Sequence, residues 1–122
     1  MQPAVEKVGD VTVVAVNVEQ LDASNAEDFC RDMAPVLQES RKLVLDLGRV
    51  QFVDSRGCGA ILSCLKHVAA SGGDLKLCGV SKPVRTTFEL IRLHRICEIC
   101  GSREEALRAF DAKPAAEAGP RA

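Results

Sequence analysis

The segment Leu43-Val44-Leu45-Asp46-Leu47 constrains the fold most, because it is almost continuously apolar. A strand with one face in solvent alternates apolar and polar residues, whereas a strand covered on both faces is apolar nearly throughout. Strands of the second kind belong to largely parallel sheets with helices packed on them. The segment therefore predicts an α/β domain.

Further apolar or β-branched runs predict the other strands. These runs are Val5 to Val8, Val11 to Val18, Leu75 to Cys78 and Ile96 to Ile99. Gly9-Asp10 joins the first two runs and predicts a hairpin turn. The run from Leu75 alternates apolar and polar residues until Cys78. Five strands are thus expected.

Four helices are predicted between and after these strands. Ser24-Asn25-Ala26-Glu27 and Ser102-Arg103-Glu104-Glu105 are capping boxes, in which a hydroxyl and a carboxylate bind free amides at a helix start. Ser81, followed by Pro83, begins another helix. The segment Asp54–Gly59 opens the remaining one, and Gly72-Gly73 ends it. Pro35 should kink the first helix or weaken its last turns.

Length and charge limit the functional classes. A chain of 122 residues is expected to form one domain, here residues 1–110, with a disordered Ala- and Pro-rich tail at 111–122. The 16 Lys and Arg residues balance 17 Asp and Glu residues, so direct nucleic-acid binding is not expected. No apolar run is long enough for membrane insertion, and no signal peptide is evident. A cytoplasmic protein is predicted.

Asp54-Ser55-Arg56-Gly57-Cys58-Gly59 is the stretch most indicative of function. It joins a strand-like segment to a helix, and a helix N-terminus with its unpaired amides favours a bound or covalent phosphate. Gly57 and Gly59 would keep side chains away from an approaching partner. The alternative is purely structural: Ser55 is an N-cap and the glycines only turn the chain.

Cysteines and histidines give no convincing catalytic or metal set. The six cysteines lie mostly in apolar periodic segments and are expected to be buried free thiols. Cys97 and Cys100 have C-x-x-C spacing, but no second pair completes a zinc site, and a strand would point them to opposite faces. His67 and His94 are isolated. No metal, cofactor or enzymatic activity is predicted.

Several motifs together resemble the STAS domain family, from about Val5 to Phe110. The most specific is Phe52-Val53-Asp54-Ser55-x-Gly57-x-Gly59. The others are Leu21-Asp22, the Leu43–Leu47 strand, Gly72-Gly73-Asp74-Leu75, Ser81-x-x-Val84 and Glu105-Ala106-Leu107. The resemblance implies a STAS-type fold, a mixed and mostly parallel sheet of about five strands with about four helices packed on it.

Without transmembrane segments, the chain is most similar to bacterial anti-sigma factor antagonists. The resemblance implies that Ser55 is phosphorylated by an anti-sigma factor that is also a serine kinase, and that a PP2C-type phosphatase reverses the modification. Asp22, Asp54, Ser55, Arg56, Gly57 and Gly59 would form the partner-binding surface. The unmodified protein would sequester the kinase, and the added phosphate charge would release it.

Three positions depart from the family pattern, and other functions stay open. Arg56 replaces a frequent Ser or Thr, Cys58 a usual Leu, and Arg92 the frequent Gly after the third helix. One alternative is a non-switching STAS subunit of a lipid-transport, transporter-associated or stressosome-like complex. Another is a small enzyme or redox protein that uses the cysteines. Homodimer formation is also left open.

Overall fold

Strands and helices alternate along the chain in the computed structural model, which describes residues 3–118 and side chains as far as residue 111. In order, the elements are β1 (Ala4–Val8), β2 (Val11–Ala15), β3 (Gln20–Leu21), α1 (Ala26–Glu39), β4 (Lys42–Asp46), β5 (Phe52–Val53), α2 (Ser55–Ala70), β6 (Asp74–Cys78), α3 (Lys82–Leu90), a 3₁₀ helix (Leu93–Arg95), β7 (Glu98–Cys100) and α4 (Arg103–Ala118).

Five of the strands form one sheet in the order β1-β2-β4-β6-β7. β1 and β2 are antiparallel, and each remaining neighbouring pair is parallel. Gly9, with φ +65°, turns the chain between β1 and β2, so the predicted hairpin is confirmed. The mostly parallel five-stranded sheet and its helices confirm the predicted fold class.

β4 lies at the centre of the sheet, between β2 and β6. Leu43 and Leu45 pack into the larger hydrophobic core, which α1, α2 and α3 cover. Val44 points to the other face and packs into the smaller core with Phe110 of α4. All three side chains are fully buried. The continuous apolar run therefore has the predicted cause, a strand with helices on both faces.

Lys76, the polar position in the alternating run of β6, is only 2% exposed. Its ammonium donates to Glu98 Oε1 at 2.8 Å and Asp74 Oδ2 at 3.2 Å. The same group lies 4.7 Å from the centre of the Phe110 ring, within range of a cation–π contact. α4 covers this face of β6, so the polar position of the alternating run is buried.

The helix termini only partly follow the predicted caps. The first capping box is wrong: Asn25, not Ser24, precedes α1, and its side chain makes no cap bond to the helix. α1 continues through Pro35 to Glu39. The box at α4 is confirmed, because Ser102 Oγ accepts from the Glu105 N–H, although Glu105 binds the Gly101 N–H rather than that of Ser102.

Three other boundaries differ from the predicted ones. β2 ends at Ala15 rather than Val18. The strand expected from Ile96 begins only at Glu98, because a 3₁₀ helix fills the connection from α3. α4 continues beyond residue 110, where the domain was predicted to end. The tail predicted at 111–122 remains a prediction, and its last four residues lie outside the described residues.

Candidate functional site

Two aspartates meet at the carboxyl end of a small second sheet. β3 and β5 pair in parallel, with Gln20 opposite Phe52 and Leu21 opposite Val53. Asp22 and Asp54 each directly follow the last residue of one strand. The Asp54 N–H also donates to the Leu21 carbonyl at 3.3 Å. Residues far apart in sequence are thereby held side by side at the surface.

The Asp54 carboxylate joins the start of α2 to the loop that precedes α1. Its Oδ1 accepts from the Gly57 N–H at 2.9 Å, and its Oδ2 accepts from the Ala23 N–H at 3.1 Å. The Gly57 hydrogen bond, with help from Ala23 and the Arg56 charge, holds the pKa of Asp54 below its usual value. Asp54 is therefore an ionised cap at pH 7, and it fixes the relative position of two segments.

Asp22 organises the neighbouring loop. Its Oδ1 accepts from both the N–H and the hydroxyl of Ser24, at 3.0 and 2.6 Å. Its own N–H donates to Asn25 Oδ1 at 3.0 Å. Ser24 thus binds Asp22 instead of capping α1 as predicted. These bonds form a local turn in which a second carboxylate lies at the surface next to Asp54.

Ser55 is exposed and is the first residue of α2. The alternative in which Ser55 caps the helix is wrong, because Asp54 occupies that position. This arrangement changes the expected environment of a phosphate. The Gly57 amide, which was expected to be available to it, already donates to Asp54. A phosphate on Ser55 would stand beside a carboxylate, with the exposed Arg56 as the adjacent cation.

Gly57 and Gly59 have different roles. A Cβ at Gly57 would lie 2.1 Å from the Leu21 carbonyl oxygen and 2.9 Å from Val53 Cγ1. Gly57 is buried, and close packing of α2 on β3 requires it. The predicted role, leaving room for an approaching partner, is wrong for this glycine. A Cβ at Gly59 would meet nothing within 4 Å. Of these two glycines, only Gly59 has open space around it, at the exposed surface.

A shallow groove of about 360 Å³ runs between α1 and α2, with Ser55 on its wall. Its lining residues are mostly small: Ala26, Glu27, Cys30, Ser55, Arg56, Gly59, Ala60 and Ser63. The contribution of α1 was not predicted from sequence. A signal for it exists, because Ala26 and Cys30 on α1, like Gly59 and Ser63 on α2, are four residues apart and share one helix face.

The cysteines have the environment of packing residues. Five are buried, and Cys30 is half-buried. Cys97 lies in the larger core and Cys100 in the smaller one, so the C-x-x-C pair does point to opposite faces. Burial raises the pKa values of Cys64, Cys78 and Cys97 to about 12, which disfavours reactive thiolates.

Neither histidine joins a site within the described residues. His67 is exposed on the last turn of α2, and His94 is exposed in the 3₁₀ helix. In the part of the chain that the structure describes, no group of three or more His, Cys, Asp or Glu side chains is arranged to hold a metal ion. None of the helices described is both long and apolar enough to cross a membrane.

Known proteins are similar to this chain in sequence and in fold. BtrV of Bordetella bronchiseptica, named as an anti-sigma factor antagonist, is 36% identical over 98 residues, covering 80% of this chain and 78% of BtrV. The anti-sigma F factor antagonist of Paenibacillus polymyxa is 33% identical, covering 62% of this chain and 65% of that protein.

The solved structures include one from Thermotoga maritima, also described as an anti-sigma factor antagonist. It superposes with a TM-score of 0.80 at 27% identity and covers 88% of this chain and 92% of that one. The family model for the STAS domain matches residues 2–106, nearly all of the described fold and the whole Asp22–Asp54–Ser55 surface. The chain therefore belongs to the STAS domain family.

Proposed function

We propose that this protein is an anti-sigma factor antagonist and that phosphorylation of Ser55 controls its binding. Unphosphorylated, it sequesters an anti-sigma factor with serine kinase activity. Phosphorylation by that kinase releases it, and a PP2C-type phosphatase restores the binding form. The observation that carries the proposal is an exposed Ser55 directly after the Asp54 cap, on a groove wall. The names of its relatives support the same function.

The release follows from the charges around Ser55. A phosphate adds about −1.5 to −2 charges at neutral pH. Asp54 is already ionised, and its Oδ1 engages the Gly57 N–H, so the helix start cannot fully neutralise the phosphate. The added group would project from the groove wall into space that the partner occupies. Steric exclusion and repulsion then act together at the interface.

The core need not rearrange for this switch to work. Ser55 is at the surface, and the Asp54 bonds that hold α2 to the Ala23 loop do not involve its hydroxyl. Phosphorylation should therefore shift amide resonances around residues 22–24 and 54–60. Resonances of β4, which is fully buried at Leu43, Val44 and Leu45, should stay unchanged. Widespread shifts through β4 would show that the domain itself rearranges.

Arg56 modulates the switch in this proposal. Its guanidinium neighbours Ser55 and is exposed, so it can pair with the phosphate and offset part of the new charge. Arg56→Ser should therefore make phosphorylation more disruptive to partner binding. The measurement is the ratio of partner affinities before and after phosphorylation, in wild type and variant. An unchanged ratio would remove Arg56 from the mechanism.

The assignment of Ser55 is tested by phosphorylation with labelled ATP and the serine kinase anti-sigma factor of the same organism. Ser63→Ala is the matched control, because Ser63 is another exposed serine of α2 that lines the same groove. Ser55→Ala should lose the label and Ser63→Ala should keep it. Since Asp54 is the cap, Ser55→Ala should change stability by less than about 0.5 kcal/mol. Equal labelling of both variants would refute the assignment.

A further inference from the structure

Three exposed apolar side chains cluster where α3 ends, at the segment of residues 90–96, called here the α3 corner. Leu90 is 78% exposed, Ile91 50% and Ile96 59%. They are three of the five large apolar side chains that are at least half exposed in the described part of the chain. Single exposed apolar residues are ordinary, but a cluster within seven residues indicates a contact surface.

The backbone of the α3 corner is ordered by hydrogen bonds and by a buried anchor. The N–H groups of Ile91 and Ile96 donate to the carbonyls of Thr87 and Leu93, at 3.3 and 3.1 Å. Leu93, between them in sequence, is only 1% exposed and packs into the larger core. The exposed apolar side chains are therefore held in fixed positions rather than on a frayed helix end.

Arg92 occupies a backbone conformation that favours glycine. Its φ of 63° is the only positive value among the described residues other than glycine. A side chain in the left-handed region is strained, and glycine is the usual residue after a helix C-terminus. The fold itself would be better served by glycine here. Ending the helix therefore does not explain why arginine occupies this position.

The charge of the α3 corner is positive. Arg92 and Arg95 are both exposed, and neither forms an ion pair with another described residue. The acidic residues nearest in sequence, Glu89 and Glu98, are paired with Arg85 at 3.2 Å and with Lys76 at 2.8 Å. Two guanidinium groups without an acidic partner among the described side chains thus lie within the α3 corner. A complementary surface would combine apolar side chains with carboxylates.

We propose that the α3 corner is a second docking surface, which binds an acidic amphipathic helix of a protein partner. Apolar residues of that helix would cover Leu90, Ile91 and Ile96, and its carboxylates would pair with Arg92 and Arg95. The proposal does not depend on phosphorylation of Ser55, because the α3 corner and α2 are separate segments of the surface.

Size and charge favour this occupant over the alternatives. The cluster has three apolar side chains, whereas a stable dimer interface uses about 20–30 residues and about 800 Å² from each subunit. A second copy of this chain would therefore need further contacts. Anionic membranes are recognised by clusters of about four to eight basic residues, and the α3 corner has only Arg92, Arg95 and His94. A single acidic helix suits both the small size of the apolar cluster and the small number of basic residues.

The test titrates the full chain with a synthetic helical peptide of about 14 residues that has Leu on one face and Glu along its flanks. Amide shifts should map to residues 89–96. A peptide with Lys in place of Glu should bind at least about tenfold more weakly. Leu90→Ser with Ile96→Ser should lower affinity by a similar factor, while Val5→Ser, which changes an exposed apolar residue on β1, should not.

Arg92→Gly separates binding from folding. It should raise the melting temperature, because the left-handed strain is relieved, and should still weaken the acidic peptide severalfold. Equal binding of both peptides, or shifts that map elsewhere, would overturn the proposal. So would a concentration-dependent dimer that Leu90→Ser disrupts, which would identify a second copy as the occupant. Sedimentation with phosphatidylserine vesicles that depends on Arg92 would overturn it in favour of a membrane.

Discussion

Asp54 and Lys76 are both charged side chains with several hydrogen-bond partners, but they lie on opposite sides of the sheet. Asp54 lies at the surface, where it accepts two backbone N–H groups from separate segments. Lys76 is almost completely buried under α4, where it donates to two carboxylates and contacts the Phe110 ring. One charge organises a surface that a partner can reach, whereas the other stabilises the packing of a helix.

Because of this difference, we expect substitutions in the two regions to affect different properties, binding around Asp54 and stability around Lys76. Substitutions at the Asp22–Asp54–Ser55 surface should change partner binding more than they change the free energy of unfolding. Substitutions around Lys76 should do the reverse. Gly57 is the exception on the binding side, because α2 cannot approach β3 with a side chain at that position.

The largest expected effect is that of Gly57→Ala. The new Cβ would lie 2.1 Å from the Leu21 carbonyl oxygen, so α2 or β3 must move. We expect a loss of about 3 kcal/mol in the free energy of unfolding, measured by urea denaturation.

Gly59→Ala is the matched control for Gly57→Ala. A Cβ at Gly59 meets nothing within 4 Å, so the higher helix propensity of Ala should stabilise the protein by about 0.5–1 kcal/mol. Because Gly59 lines the groove, the same variant should bind the partner less tightly. Similar stability losses at the two positions would contradict the distinct roles assigned to these glycines.

The next effect concerns Lys76. Lys76→Ala removes the stem that packs under α4 and should cost about 2 kcal/mol. Lys76→Met keeps most of the buried volume, and the two carboxylates can be hydrated, so its loss should be smaller. Urea denaturation at pH 7 measures both. Partner binding should be unchanged in each variant. A selective loss of binding would show that Lys76 does not act on stability alone.

Lys76 also predicts a pH dependence. Burial alone lowers the pKa of Lys76, but Glu98 and Asp74 together raise it above its usual value of 10.5. A pKa that is raised in the folded state gives stability that is present below pH 10.5 and is lost as pH rises through the folded value. The difference in unfolding free energy between wild type and Lys76→Met should therefore shrink above pH 10.5. Parallel curves would show that the Lys76 charge does not stabilise the fold.

Asp54 should have the smallest effect on stability. Asp54→Asn keeps an acceptor for the Gly57 N–H, but it removes the charge and leaves the Ala23 N–H opposite an amide nitrogen, which cannot accept. The melting temperature should fall less than in Lys76→Ala, because the lost bond lies at the exposed surface. The pKa of Asp54 is lowered by the Gly57 hydrogen bond, so its contribution is present above pH 3.8 and is lost as pH falls below that value. Asp54→Asn should be less sensitive than wild type in that acid range. A larger stability loss than that of Lys76→Ala would contradict the assignment of stability mainly to the Lys76 region.

The sequence predicts those features that depend on local pattern. The apolar run of β4 indicates burial on both faces, because successive side chains of a strand point to opposite faces. The Asp54–Gly59 segment is found at the predicted junction of a strand and a helix. Asp and Ser are nearly equal as N-caps, so local preference could not decide between Asp54 and Ser55.

Features that depend on distant contacts could not be predicted. The role of Gly57 requires the pairing of β3 with β5, and strands of two residues leave almost no periodic signal. The burial of Lys76 depends on Phe110 of α4, which alternation within β6 cannot indicate. The exposed corner after α3 includes a 3₁₀ helix at Leu93–Arg95, and the strand that was expected to begin at Ile96 begins only at Glu98.

We expect a phosphate on Ser55 to weaken partner binding without unfolding the domain. The most direct test is calorimetric titration of the kinase anti-sigma factor with the unphosphorylated and the stoichiometrically phosphorylated protein. The affinity should fall by at least about a hundredfold, or roughly 2.7 kcal/mol, with little change in melting temperature. Equal affinities of the two forms would contradict this expectation.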